Sequence, residues 1–130
     1  GRTVQITTQP FADTIVVVPV GRIDHRSAAD LEAVLLPLVS QSAERKAALV
    51  LDFAGVEYIS SVGLRVLMIA ARQMRAAGAG LGVAALQSVV AEIFAISRFD
   101  KVLTVDATLD DALARVSDAA QAAYRGRRSS

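Results

Sequence analysis

The stretch Ala47-Ala48-Leu49-Val50-Leu51-Asp52-Phe53 constrains the fold of this chain more than any other. It is apolar at every position except Asp52. A strand with one face in water alternates apolar and polar residues, whereas an unbroken apolar run belongs to a central strand covered on both faces. A sheet covered in that way needs helices on either side. The residues after the run supply one, because a short loop, the pair Ser60-Ser61 and an amphipathic helical pattern follow directly.

Upstream, residues 4–8 alternate weakly and are expected to form an edge strand. Phe11-Ala12-Asp13 makes a turn, and residues 14–20 form a stronger, β-branched strand. So short a connection makes the pair antiparallel. Pro19 is expected near the strand's end, where a lost ladder donor is tolerated. Gly21-Arg22-Ile23-Asp24 then turns into a helix capped by Asp24 or Ser27, with Leu31, Val34, Leu35 and Leu38 at helical spacing. Pro37 interrupts that pattern and is expected to remove the bond to Ala33 and bend or shorten the helix.

Downstream, a helix is expected from Ser60 or Ser61, with Leu64, Leu67, Met68, Ala71 and Met74 on one face, until Gly78-Ala79-Gly80 stops it. Residues 81–86 read as a strand, 89–97 as a short helix and 102–105 as a last strand. Thr108 and Asp111 resemble a capping box opening a terminal helix, with Leu109, Ala112, Leu113 and Val116 on one stripe. The fold class is therefore α/β, with a mixed, mostly parallel sheet, an antiparallel N-terminal edge strand and about four α-helices. One domain is expected over residues 1–130, with its core at about 4–119. The basic run Arg125-Gly126-Arg127-Arg128 marks a flexible tail at about 124–130.

Composition narrows the function. Hydrophobic residues make up 53% of the chain and charged residues 21%, the balance of a globular protein. A formal net charge of +1 gives no reason to expect direct contact with nucleic acid. Without cysteine there is no disulfide, thiolate metal site or cysteine nucleophile, and the chain suits a reducing cytoplasm. No apolar run approaches the roughly 20 residues that span a bilayer, so no membrane span is expected. Residues 1–3 carry no signal-peptide pattern.

Catalysis is not expected. The single histidine, His25, lies in the loop after the second strand, and Ser60, Ser61 and Gly63 do not form a Gly-x-Ser-x-Gly elbow. Asp110 and Asp111 read as charges complementing a helix N-terminus and not as metal ligands. The glycines at 78–82 separate a helix from a strand, the reverse of a phosphate-binding loop. No cofactor or metal is implied.

The serines remain. A hydroxyl at the mouth of a helix can cap it or carry a phosphate, since helix N-termini favour negative charge. Ala54, Gly55, Val62 and Gly63 are small or apolar and leave a surface that a partner can approach closely. A phosphate on Ser61 brings about −1.5 to −2 charges. The helix tolerates that charge, but a flat apolar contact does not.

These pieces together resemble the STAS domain, and in particular the stand-alone bacterial anti-sigma factor antagonists. The resemblance rests on Gly21-Arg22-Ile23-Asp24 leading into Ala28-Ala29-Asp30-Leu31, on residues 49–53 with Val56-Glu57-Tyr58-Ile59-Ser60-Ser61-Val62-Gly63-Leu64, and on residues 90–113. In the family the loop typically reads Asp-Ser-Ser/Ala-Gly-Leu, and the serine after the aspartate is phosphorylated. Alignment on Gly63-Leu64 puts that phosphoacceptor at Ser61 and places Ser60 at the aspartate position, a departure from the pattern.

The resemblance implies partner switching. The unmodified protein would bind an anti-sigma factor that is also a GHKL-type serine kinase, freeing a sigma factor. Phosphorylation of Ser61 would release it, and a PP2C-type phosphatase would reset it. Asp24, Ser60, Ser61, Val62, Gly63 and Arg65 would form the partner-binding surface. The alternative is a STAS subunit of a transport or sensory complex that is never phosphorylated.

Overall fold

The computed structural model describes residues 4–129. In chain order these form β1 (Val4–Phe11), β2 (Thr14–Ile23), α1 (Ala28–Arg45), β3 (Leu49–Asp52), β4 (Val56–Ile59) and α2 (Ser61–Ala76). There follow β5 (Leu81–Ala84), α3 (Ser88–Ile96), a 3-10 turn (Phe99–Lys101), β6 (Thr104–Asp106), α4 (Leu109–Val116) and α5 (Asp118–Ser129). The sheet runs in the order β1-β2-β3-β5-β6, with β4 paired to β2. β1 and β2 are antiparallel and the other pairings are parallel. The α/β class, the mixed sheet and the antiparallel edge strand are thus as the sequence implies.

The apolar run at β3 has the surroundings its pattern demands. Leu49 and Leu51 point into one core with Leu31 and Leu35 of α1, Leu67 of α2 and Phe94 of α3. Val50 points into the opposite core, with Val16, Phe11, Leu113 of α4 and Ala120 of α5. All three β3 side chains are fully buried. Each such burial contributes roughly 1.5–3 kcal/mol relative to an exposed side chain.

Four features depart from expectation. First, residues 56–59 form a strand and not a loop. The backbone turns after β3, where Val56 N–H donates to Phe53 O at 2.9 Å. β4 then pairs with the far end of β2, Ile23 opposite Ile59. Second, β2 extends to Ile23, so Pro19 lies inside it. β3 pairs with β2 at residues 15–17 and β4 at residues 21–23, and Pro19 falls in the gap between the two ladders, where a missing N–H costs least.

Third, α1 continues through Pro37 to Arg45 and is not shortened. Fourth, the tail expected at about 124–130 is helical within the described residues, as part of α5, while Ser130 and residues 1–3 lie outside them. Ala120 is buried, and the Tyr124 ring meets Phe11 edge-on at 5.5 Å. Arg125 pairs with Asp110 at 2.8 Å, and Arg127 lies 4.6 Å over the Phe11 ring. This apolar stripe one helical turn apart, with an acidic partner for the first arginine, holds the segment against the sheet.

Candidate functional site

The site forms where β2 and β4 end side by side. Ile23 and Ile59 are register partners and both are buried. One residue further on, Ser60 N–H donates to Ile23 O at 2.8 Å. That bond brings the turn after β2 against the start of α2.

Within the turn, Asp24 Oδ1 accepts from Ser27 N–H at 2.8 Å and from Arg26 N–H at 3.0 Å. Ser27 Oγ accepts from Asp24 N–H at 2.9 Å and donates to Arg22 O at 2.7 Å. This reciprocal pattern is that of a capping box. Of the two residues that the sequence offered as caps, Asp24 accepts the N–H groups at the helix start, while the Ser27 side chain makes no cap bond to α1 and ties the turn back to Asp24 and Arg22. The N–H of Ser27 is the main reason the Asp24 carboxyl is held below its ordinary value of 3.8, against a smaller opposing effect of desolvation.

The two serines have different surroundings. Ser60 has extended backbone (φ −84°, ψ 171°), and its Oγ accepts from Gly63 N–H at 3.2 Å, so it caps α2. Ser61 is the first residue of α2 and is exposed. Its hydroxyl has no hydrogen-bond partner among the described residues. The first turn of α2 contains no acidic side chain, so no carboxylate compensates the positive end of the helix dipole there.

Val62 is 42% exposed, and Arg65 is exposed one turn beyond Ser61 on the same side of the helix. Gly63 is buried beneath them. A Cβ there would lie 2.7 Å from Ile59 Cγ1 and 2.8 Å from Ile23 Cγ2. Only glycine lets α2 sit this close to the ends of β2 and β4, which sets how Ser61 and Val62 emerge from the fold.

The structure thus brings Asp24, Ser60, Ser61, Val62 and Arg65 to one end of the sheet, with Gly63 as the packing contact below. It also adds residues that the sequence reading did not place there. Arg22 and Tyr58 are register partners, and the Arg22 guanidinium lies 4.6 Å over the Tyr58 ring. Val20 is 49% exposed and packs beside Gly55. Their place follows from β4, whose pairing cannot be read without the register. His25 is exposed in the turn and makes no hydrogen bond to either serine among the described residues.

No helix among the described residues is long and apolar enough to cross a membrane. A search of curated proteins finds a Bordetella bronchiseptica protein, BtrV, named as a candidate anti-sigma factor antagonist. It is 36% identical over 85 residues, which are 65% of this chain and 71% of that protein. Among solved structures, an anti-sigma factor antagonist from Mycobacterium paratuberculosis superposes with a TM-score of 0.75 at 27% identity, covering 89% of this chain and 96% of its own. The Bacillus cell fate determinant SpoIIAA, solved in its phosphorylated form, shares the fold with a TM-score of 0.61 at 19% identity, covering 88% of this chain and 100% of its own. The family model for the STAS domain matches residues 4–112, through every strand and the whole of the serine site, and the chain belongs to the STAS domain family.

Proposed function

We propose that this protein is an anti-sigma factor antagonist that works by partner switching, with Ser61 as the switch. The observation that carries the proposal is the division between the two serines. Ser60 is committed to Gly63 N–H as a cap, while Ser61 stands exposed on the first turn of α2 with its hydroxyl unengaged. The family match supports it, as does the phosphorylated form in which the Bacillus fold neighbour was solved.

In its unmodified form the chain presents Val62, Arg65, the Asp24 turn and the Ser61 hydroxyl to an anti-sigma factor that is also a GHKL-type serine kinase. Binding removes that factor from its sigma factor. With ATP on the kinase, the γ-phosphoryl group passes to Ser61 Oγ as its bond to the bridging oxygen breaks, ADP leaves and the hydroxyl proton is lost. The product carries about −1.5 to −2 charges where an apolar contact had been. The dipole of α2 accommodates that charge, so the fold persists. The complex does not persist, because a hydrated dianion resists burial at an interface. A PP2C-type phosphatase then hydrolyses the phosphoester, consuming water and releasing inorganic phosphate, and restores the hydroxyl. The protein is a substrate and a regulator in this cycle and performs no catalysis of its own.

The test is incubation with the cognate kinase and ATP, read by mass spectrometry of the intact chain and its peptides. One phosphate on Ser61 is expected, and none on the S61A variant, which still binds the kinase. Labelling that survives S61A overturns the assignment. An S61D variant that binds the partner as tightly as wild type favours a constitutive subunit of a transport or sensory complex instead.

A further inference from the structure

Ser61 and Arg65 stand four positions apart on α2, and both are exposed. Residues at that spacing lie one above the other on a helix, with about 5–6 Å between their Cβ atoms. A long helical side chain leans toward the N-terminus and covers the turn before its own Cα. That direction takes Arg65 over the turn that Ser61 opens.

Arg65 is the one charged side chain among residues 61–68. The ion pairs among the described residues are Arg115–Asp106 and Arg125–Asp110, so Arg65 has no carboxylate within 4 Å there. Asp24, the acid of the switch site, is turned to the N–H groups of Arg26 and Ser27. The unmodified site thus holds a cation one helical turn from a free hydroxyl and no anion paired with it.

We propose that phosphorylation gives Arg65 its partner within the same helix: the guanidinium offered to the kinase in the unmodified chain turns onto the phosphate of Ser61. The pairing presupposes Ser61 as the phosphoacceptor. The ester bond fixes the anion at the first position and Arg65 supplies the cation four residues later, the favourable order for a pair along a helix dipole. Two guanidinium N–H groups match two phosphate oxygens, a bidentate contact that a lysine ammonium does not make. The modification therefore changes the interface twice. It adds a dianion, and it withdraws the cation that Arg65 had presented to the partner.

The test is a phosphorus NMR pH titration of the full chain with phosphoserine installed at position 61 during synthesis, which makes it independent of any kinase. The second ionisation of a phosphoserine falls near pH 6, roughly, and a neighbouring guanidinium favours the dianion. The midpoint is expected about half a pH unit lower in the wild-type chain than in Arg65→Gln, with Arg65→Lys between them. Arg72→Gln removes the same charge roughly 16 Å along the helix from Ser61, beyond the screening length of about 8 Å at physiological salt. It is expected to leave the midpoint unchanged. The Arg65 Nε resonance of the wild-type chain is expected to move as the phosphate ionises. Equal midpoints in wild type and Arg65→Gln overturn the proposal, as does an Arg72→Gln effect as large as that of Arg65→Gln. So does a stationary Nε resonance, a readout that needs no variant to fold. None of these results bears on Ser61 as the switch, which fails instead if the kinase labels S61A.

Discussion

At the scale of single residues, Ser60 and Ser61 share a residue type and differ in surroundings. Ser60 Oγ serves a backbone N–H that would otherwise be an orphan of the first helical turn. S60A should therefore lower stability by about 1 kcal/mol, measured by urea unfolding, and should leave labelling at Ser61 in place. Gly63 is equally specific. G63A forces a methyl against Ile59 and Ile23, an overpacking cost of about 1–3 kcal/mol. Alanine's helical advantage over glycine, about 1 kcal/mol, offsets part of this. A net loss of up to about 2 kcal/mol is expected in the same assay.

Asp24 gives a prediction with a sign. Its carboxyl is held below 3.8 in the folded chain, so the unfolded chain takes up protons first as the pH falls. The stability it contributes is complete above that value and is lost as the pH drops through the lower folded value. The stability difference between wild type and D24N should be constant above about pH 5 and shrink at lower pH. Pairs of unfolding curves from pH 7 to pH 3 test it, and a difference that grows on acidification contradicts it. Capping and helix-start chemistry act over three or four residues, which is why the capping roles of Asp24 and Ser60 were legible in the sequence. The Arg22–Tyr58 stack was not, because it depends on a register between strands 36 positions apart in the chain.

At the scale of elements, the legible ones carry their own periodicity. β3 announces burial on both faces, α2 has a clear apolar stripe, and α4 starts at Thr108, whose Oγ1 accepts from Asp111 N–H at 3.0 Å. β4 is only four residues long, with buried Val56 and Ile59 at its ends, too short for alternation to show. α5 was hidden by composition. Its arginines and serines read as a solvated end, while Ala120 and Tyr124 complete the second core against Phe11. Y124A should accordingly cost about 1–2 kcal/mol, for the aromatic pair and the area it covers. R125A should cost about 1 kcal/mol or less, since the arginine of its ion pair with Asp110 stands mostly in solvent. Thermal melts of the two variants distinguish them, and equal losses would contradict the packing role assigned to α5.

At the scale of the whole molecule, one sheet separates two cores, and the exposed Ser61 and Val62 lie just beyond the buried ends of β2 and β4, outside both cores. Ser61 can gain a phosphate without disturbing a buried contact. The modification is expected to alter what the protein binds and not how it folds, so the melting temperature of the phosphorylated chain should stay within a few degrees of the unmodified one. Fold and switch are in this way separate. The sharpest test is the affinity of the proposed kinase partner for this protein carrying a phosphate homogeneously on Ser61, set beside the unmodified chain at the same ionic strength. At least a tenfold weaker affinity for the phosphorylated chain, with unchanged far-ultraviolet circular dichroism, is the expected result. Equal affinity for the two forms would contradict it.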